Sequence, residues 1–97
     1  MAEFEDNTFT QRVDAHVDLA NEQLKLAPGP RIGASMSFAT ARFNAWLCSR
    51  MYGSAEEMQR QRDEAIRLLT EHYNNMLQDS FDDFIKNYAT YHPAANP

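Results

Sequence analysis

The sequence predicts an all-α protein, a small helical bundle of three helices, or four if the chain breaks near Ser80, with a long C-terminal helix. Three observations carry that prediction: apolar residues recurring at helical spacing, a proline-rich interruption at Ala27 to Pro30, and helix-start signals at Thr8 and Ser54. The stretch Ser37 to Tyr52 is apolar over more than one face, with Phe38, Phe43, Trp46, Leu47, Cys48 and Met51 distributed around it. A helix of that composition is expected between neighbours, so it is the predicted centre of the bundle.

The first seven residues are acidic and lack periodicity, which predicts a flexible tail from which Phe4 could dock on the body. Thr8 followed by Gln11 has the capping-box spacing, in which two side chains each satisfy a backbone N–H at a helix start. From there Phe9, Val13, Val17, Ala20 and Leu24 form an apolar face, opposite Gln11, Asp14, Asp18, Glu22 and Lys25. Pro28 and Pro30 end this helix, because each lacks an N–H and restricts its predecessor.

The second helix is expected to start between Ile32 and Ser35 and to run to Tyr52, with Arg50 favourably placed in its last turn. Gly53 then takes the position where helices commonly end in a left-handed residue. Ser54 and Glu57 form another capping box, starting a third helix at Ala55 with acidic residues in its first turn. Its apolar line includes Met58, Ala65, Ile66, Leu69, Tyr73, Met76 and Leu77, and Glu56 with Arg60 and Asp63 with Arg67 are spaced for exposed ion pairs. Phe81, Phe84, Ile85 and Tyr88 continue the line without Gly or Pro, so the third helix is read as continuous to about Ala89, the alternative being a fresh start at Ser80. Residues 90–97 read as a second flexible tail, and residues 1–97 as a single helical domain.

Composition narrows function. The 97 residues carry a formal net charge of −5, with basic residues scattered among acidic ones, which weighs against a nucleic-acid surface. No apolar run is long enough for a membrane span, and the acidic start is unlike a secretory leader. The single Cys48 cannot form an internal disulfide, and a cytoplasmic location is expected.

No catalytic, cofactor or metal motif is present. His16 and His72 lack ligand spacing and read as structural or surface residues, and Cys48, with no neighbouring base, reads as a small core residue. Asp79, Asp82 and Asp83 form an acidic cluster without the glycine turn and terminal Glu of a calcium loop. Arg42, Asn44 and Trp46 place a cation, an amide and an indole within about one turn of the central helix. They are a possible ligand site or a structural polar cluster in which Arg42 and Asn44 pair with groups such as Glu22.

The strings LANEQLK at Leu19 to Lys25 and ASMSFATARFNAW at Ala34 to Trp46 resemble a family of small, mostly proteobacterial proteins, the one catalogued as domain of unknown function 3144. The resemblance spans roughly Phe9 to Tyr88. It implies a bacterial, cytoplasmic helical protein and brings no activity or catalytic residue with it.

The functional expectation is therefore a protein that works by protein–protein interaction or self-association and needs no cofactor. A third helix longer than its neighbours leaves Phe81, Phe84, Ile85 and Tyr88 as a possible interface, which a homodimer or another protein would cover. The alternative is a small enzyme or metal-binding protein using His72, Asp79, Asp82 and Asp83.

Overall fold

The structure, a computed structural model, describes residues 6–93. These are 84% helical with no strand. Three long helices and one short one, the elements of a small all-α bundle, follow in the order α1 (Phe9–Gln23), α2 (Gly29–Met51), α3 (Ala55–Lys86) and α4 (Tyr88–Tyr91). The chain divides into two compact units, Met1–Leu47 and Cys48–Pro97, taken separately below.

In the first unit α1 begins at Phe9, as its spacing predicts, but the Thr8–Gln11 capping box does not form, since Thr8 makes no side-chain cap bond. Asp6 does that work. Its Oδ1 accepts from the Thr8 N–H at 2.9 Å and from the Thr8 hydroxyl at 2.9 Å, and its carbonyl accepts from the Phe9 N–H at 3.1 Å. A carboxylate two residues before the donor N–H closes a local turn, the usual competition between Asp side chains and the helical ladder. Phe4, expected to dock, lies outside the described residues.

The two prolines end α1 and also start α2, three residues earlier than the first expected position. The Pro28 carbonyl accepts from Arg31 at 3.0 Å and Ile32 at 3.3 Å. Pro30 therefore sits in the first turn of α2, where a missing N–H costs nothing because no carbonyl precedes it in the ladder. Leu24 fills the neighbouring turn, its side chain 3.7 Å from where a Cβ on Gly29 would lie.

The expected burial of α2 is corrected. Ile32, 8% exposed, is the one buried side chain among the described residues, whereas Trp46, expected in the core, is 50% exposed. Phe38, Phe43 and Met51 are more exposed still, and Cys48 is half-buried. Apolar periodicity marks which residues share a helix face; it does not supply the surface that covers them.

In the second unit the Ser54 cap is formed: its Oγ accepts from the Glu57 N–H at 3.0 Å, with Ser54 in the extended region. The reciprocal half of the box is diverted, for the Glu57 carboxylate is bonded by Arg60. Gly53 does not adopt a left-handed conformation, contrary to expectation. α3 runs unbroken past Ser80 for 32 residues, about 48 Å at 1.5 Å per residue. Its ion pairs include Arg60 with Glu57, Arg62 with Asp63, and Arg67 with Glu64 and Glu71, in place of the two expected pairs. The interruption comes at Asn87, not Ser80, and α4 carries helix through Thr90 and Tyr91, where a tail was expected.

Candidate functional site

Two regions were singled out by sequence, one in each unit. In the first, α2 separates the three polar and aromatic residues instead of gathering them. Arg42 and Trp46, four apart, share a side, while Asn44 is turned away from both by about 200° at 100° per residue. Asn44 is half-buried and Arg42 exposed. Trp46 instead meets Phe43, the ring centroids 5.7 Å apart and the planes inclined by 36°. Glu22, the proposed partner, is bonded by Lys25 at 3.2 Å. What remains is an aromatic pair on an exposed helix side, with no convergent polar pocket.

The second region is the end of α3 together with α4. Phe81 is 62% exposed, Phe84 49%, Ile85 69% and Tyr88 63%. Phe81 and Phe84 extend the face on which Ile66, Leu69, Tyr73 and Leu77 recur at spacings of three and four, all of them exposed. The face is thus continuous along most of α3.

Beside it stands a polar constellation that sequence reading missed. The Asp83 carboxylate accepts from Asn87 Nδ2 at 2.7 Å on one oxygen and from the Tyr91 hydroxyl at 2.7 Å on the other. These two bonds, the Tyr91 bond first, hold the Asp83 carboxyl below the usual carboxylate range, with a smaller contribution from Lys86. The same bond raises the Tyr91 phenol above its ordinary value, because ionisation would set its oxygen against the carboxylate. The Tyr91 ring also packs on Phe84, centroids 4.4 Å apart, and Tyr88 lies 4.8 Å from His92. A separation of eight residues between Asp83 and Tyr91 is about 12 Å along an unbroken helix, out of bonding reach, so periodicity could not have paired them. The Asp83 to Asn87 spacing of four was the available signal.

Asp83 is thereby engaged in fixing α4. Among the described residues no group of three or more His, Cys, Asp or Glu side chains is placed to hold a metal ion, and His16 and His72 take part in none. Among the same residues no helix is long and apolar enough to cross a membrane.

An all-α protein with an exposed aromatic helix face, and no convergent set of metal-binding side chains among its described residues, is the class these features define. The chain belongs to the family described as "Protein of unknown function (DUF3144)", whose model matches residues 9–85. The resemblance read at Leu19 to Lys25 and Ala34 to Trp46 lies within that match. No curated protein and no solved structure matches the chain.

Proposed function

We propose that this is a bacterial cytoplasmic protein that acts by self-association, two copies pairing through the apolar face of α3 and the aromatic residues Phe81, Phe84, Ile85 and Tyr88. The observation that carries this reading is the exposure of that face along most of a 32-residue helix. Contiguous exposed apolar surface of this extent is characteristic of interfaces.

Area supports a second copy as the occupant. Large aromatic side chains bury about 150–250 Å² each, so the four terminal residues at their observed exposure offer roughly 500 Å². Adding Ile66, Leu69, Tyr73 and Leu77 brings this to roughly 800 Å² per copy, the amount a standard stable interface takes from each partner. A twofold pair satisfies both copies with one surface. The net charge of −5 speaks against a nucleic-acid partner. A single cysteine fits a reducing cytoplasm.

Light scattering and sedimentation test the reading on the full chain. The protein is expected to be dimeric at tens of micromolar, and Phe81→Asp to give monomers with helical circular dichroism retained. A wild-type monomer throughout that range, or a dimer indifferent to Phe81→Asp, would overturn it.

A further inference from the structure

No Gly or Pro occurs between Ala55 and His92, so local propensity alone would carry α3 straight through Asn87. It does not. Asn87 has φ −110° and ψ 26°, outside the helical region, and the ladder restarts beyond it. There the Thr90 N–H bonds to the Asn87 carbonyl at 2.9 Å and the His92 N–H to the Tyr88 carbonyl at 2.8 Å. A straight helix would carry Tyr91 about 12 Å along the axis from Asp83, eight residues at 1.5 Å each. The break returns the phenol to the carboxylate and the Tyr91 ring to Phe84.

Those contacts have a consequence for the exposed face. Phe84 is 49% exposed, less than Phe81 at 62% and Tyr88 at 63%, and the ring against it is Tyr91. The cover is provided by a four-residue helix tied down by two side-chain bonds to one carboxylate.

We propose that α4 is an autoinhibitory strap: clasped to Asp83 through Tyr91 and Asn87, it holds the Tyr91 ring over Phe84 and withholds that residue from a second copy of the chain. Released, α4 frees Phe84 for the interface and association tightens. The inference rests on the self-association reading above and names its regulation. The charge of Lys86 on α3 acts on the Asp83 carboxyl, and the His92 ring stands beside Tyr88 at the far end of α4.

Three full-length variants test it: Asp83→Asn, Tyr91→Phe, which keeps the ring and removes the hydroxyl, and Tyr91→Ala, which removes both. Nuclear Overhauser contacts between the Phe84 and Tyr91 rings report the clasp independently of association, and sedimentation reports the dimer. The wild type is expected to show the ring contact, the variants to weaken or lose it, and the dimer dissociation constant to fall about three- to tenfold, most in Tyr91→Ala. Ultraviolet titration should find the Tyr91 phenol of the wild type ionising above its ordinary value and at a lower pH in Asp83→Asn. A wild type without the ring contact would overturn the strap. So would variants that lose the contact yet dimerise no more tightly, an outcome that leaves self-association standing. Monomers in every case, with the ring contact intact, would overturn the self-association reading and the inhibitory role with it.

Discussion

The unit Met1–Leu47 contains a buried side chain, Ile32, while the unit Cys48–Pro97 contains none among its described residues and is fixed at both ends of α3 by polar bonds. The difference lies in what each helix can supply for itself. A helix of 32 residues is long enough to repay the cost of nucleation through its own hydrogen bonds, whereas the 15 residues of α1 are near the length at which isolated helices are marginal. The first unit adds one buried side chain to its local hydrogen bonds, where the second is held by polar bonds at the ends of its long helix. Ile32 and Ser54 are the residues on which that contrast is most easily broken.

The largest effect is expected at Ile32. Replacing a buried Ile by Ala removes its transfer free energy and leaves a cavity, together about 2–4 kcal/mol. Chemical denaturation monitored by circular dichroism should show that loss for Ile32→Ala. A loss below about 0.5 kcal/mol, the range of surface substitutions, would remove the distinction between the units. Trp46→Ala, at an exposed position, should cost less than Ile32→Ala despite the larger side chain.

Next comes the cap. Ser54→Ala leaves an N–H at the start of α3 without its side-chain acceptor and should cost about 1 kcal/mol. Thr8→Ala should cost less, because the Thr8 hydroxyl makes no cap bond to α1 and its bonds, donated to Asp6 and accepted from the Arg12 guanidinium, join exposed side chains. Equal losses at the two positions, measured by thermal unfolding, would mean that the hydroxyl at Thr8 caps after all.

These two positions also show how far the sequence was legible. Helix existence and the starts at Phe9 and Ala55 followed from periodicity and punctuation, as did the continuity of α3 past Ser80, because those signals are local. Pro28 and Pro30 were read as a stop alone, although proline is equally at home in a first turn. Asp6 was passed over because the acidic start was assigned to a tail; its spacing of two from Thr8 was the signal of a carboxylate-closed turn. Trp46 and the Asp83–Tyr91 clasp were beyond reach for a different reason. One required knowing what covers a helix face, and the other required a break at Asn87 that no Gly or Pro announces. The family assignment added no site residues, so the aromatic face of Phe81, Phe84, Ile85 and Tyr88 rested on the pattern alone.

A smaller effect, of opposite sign, is expected from the glycines. Gly33 lies inside α2 with open space where a Cβ would project and no positive φ, so Gly33→Ala should stabilise by about 0.5–1 kcal/mol. Gly53 likewise has open space and no positive φ, and Gly53→Ala should be tolerated. A left-handed Gly53 would instead make that substitution destabilising, and thermal unfolding decides the sign.

The smallest effect on overall stability is expected from acid, and it separates the two kinds of helix end most finely. Asp6, bonded by the Thr8 N–H and hydroxyl and by Arg12, and Asp83, bonded by Tyr91 and Asn87, both have carboxyl groups held below their ordinary value of 3.8. A carboxyl whose folded value is depressed contributes stability that is fully present above its unfolded value, near 3.9, and is lost as the pH falls through the folded one. Lowering the pH from about 5 to 2 should therefore loosen the first turn of α1 and release α4, each seen as faster amide exchange at Thr8 and Phe9 and as loss of the Phe84–Tyr91 ring contact. The Ser54 Oγ acceptor does not titrate, so the Glu57 amide at the start of α3 should keep more of its protection than the Thr8 amide, losing only what the charges of Glu56 and Glu57 in the first turn contribute. Both exposed carboxylates are screened by salt, so these local transitions should weaken as ionic strength rises. If the start of α3 loosened in step with the start of α1, the ends would be responding to global unfolding, and the division into carboxylate-held and hydroxyl-held termini would fail.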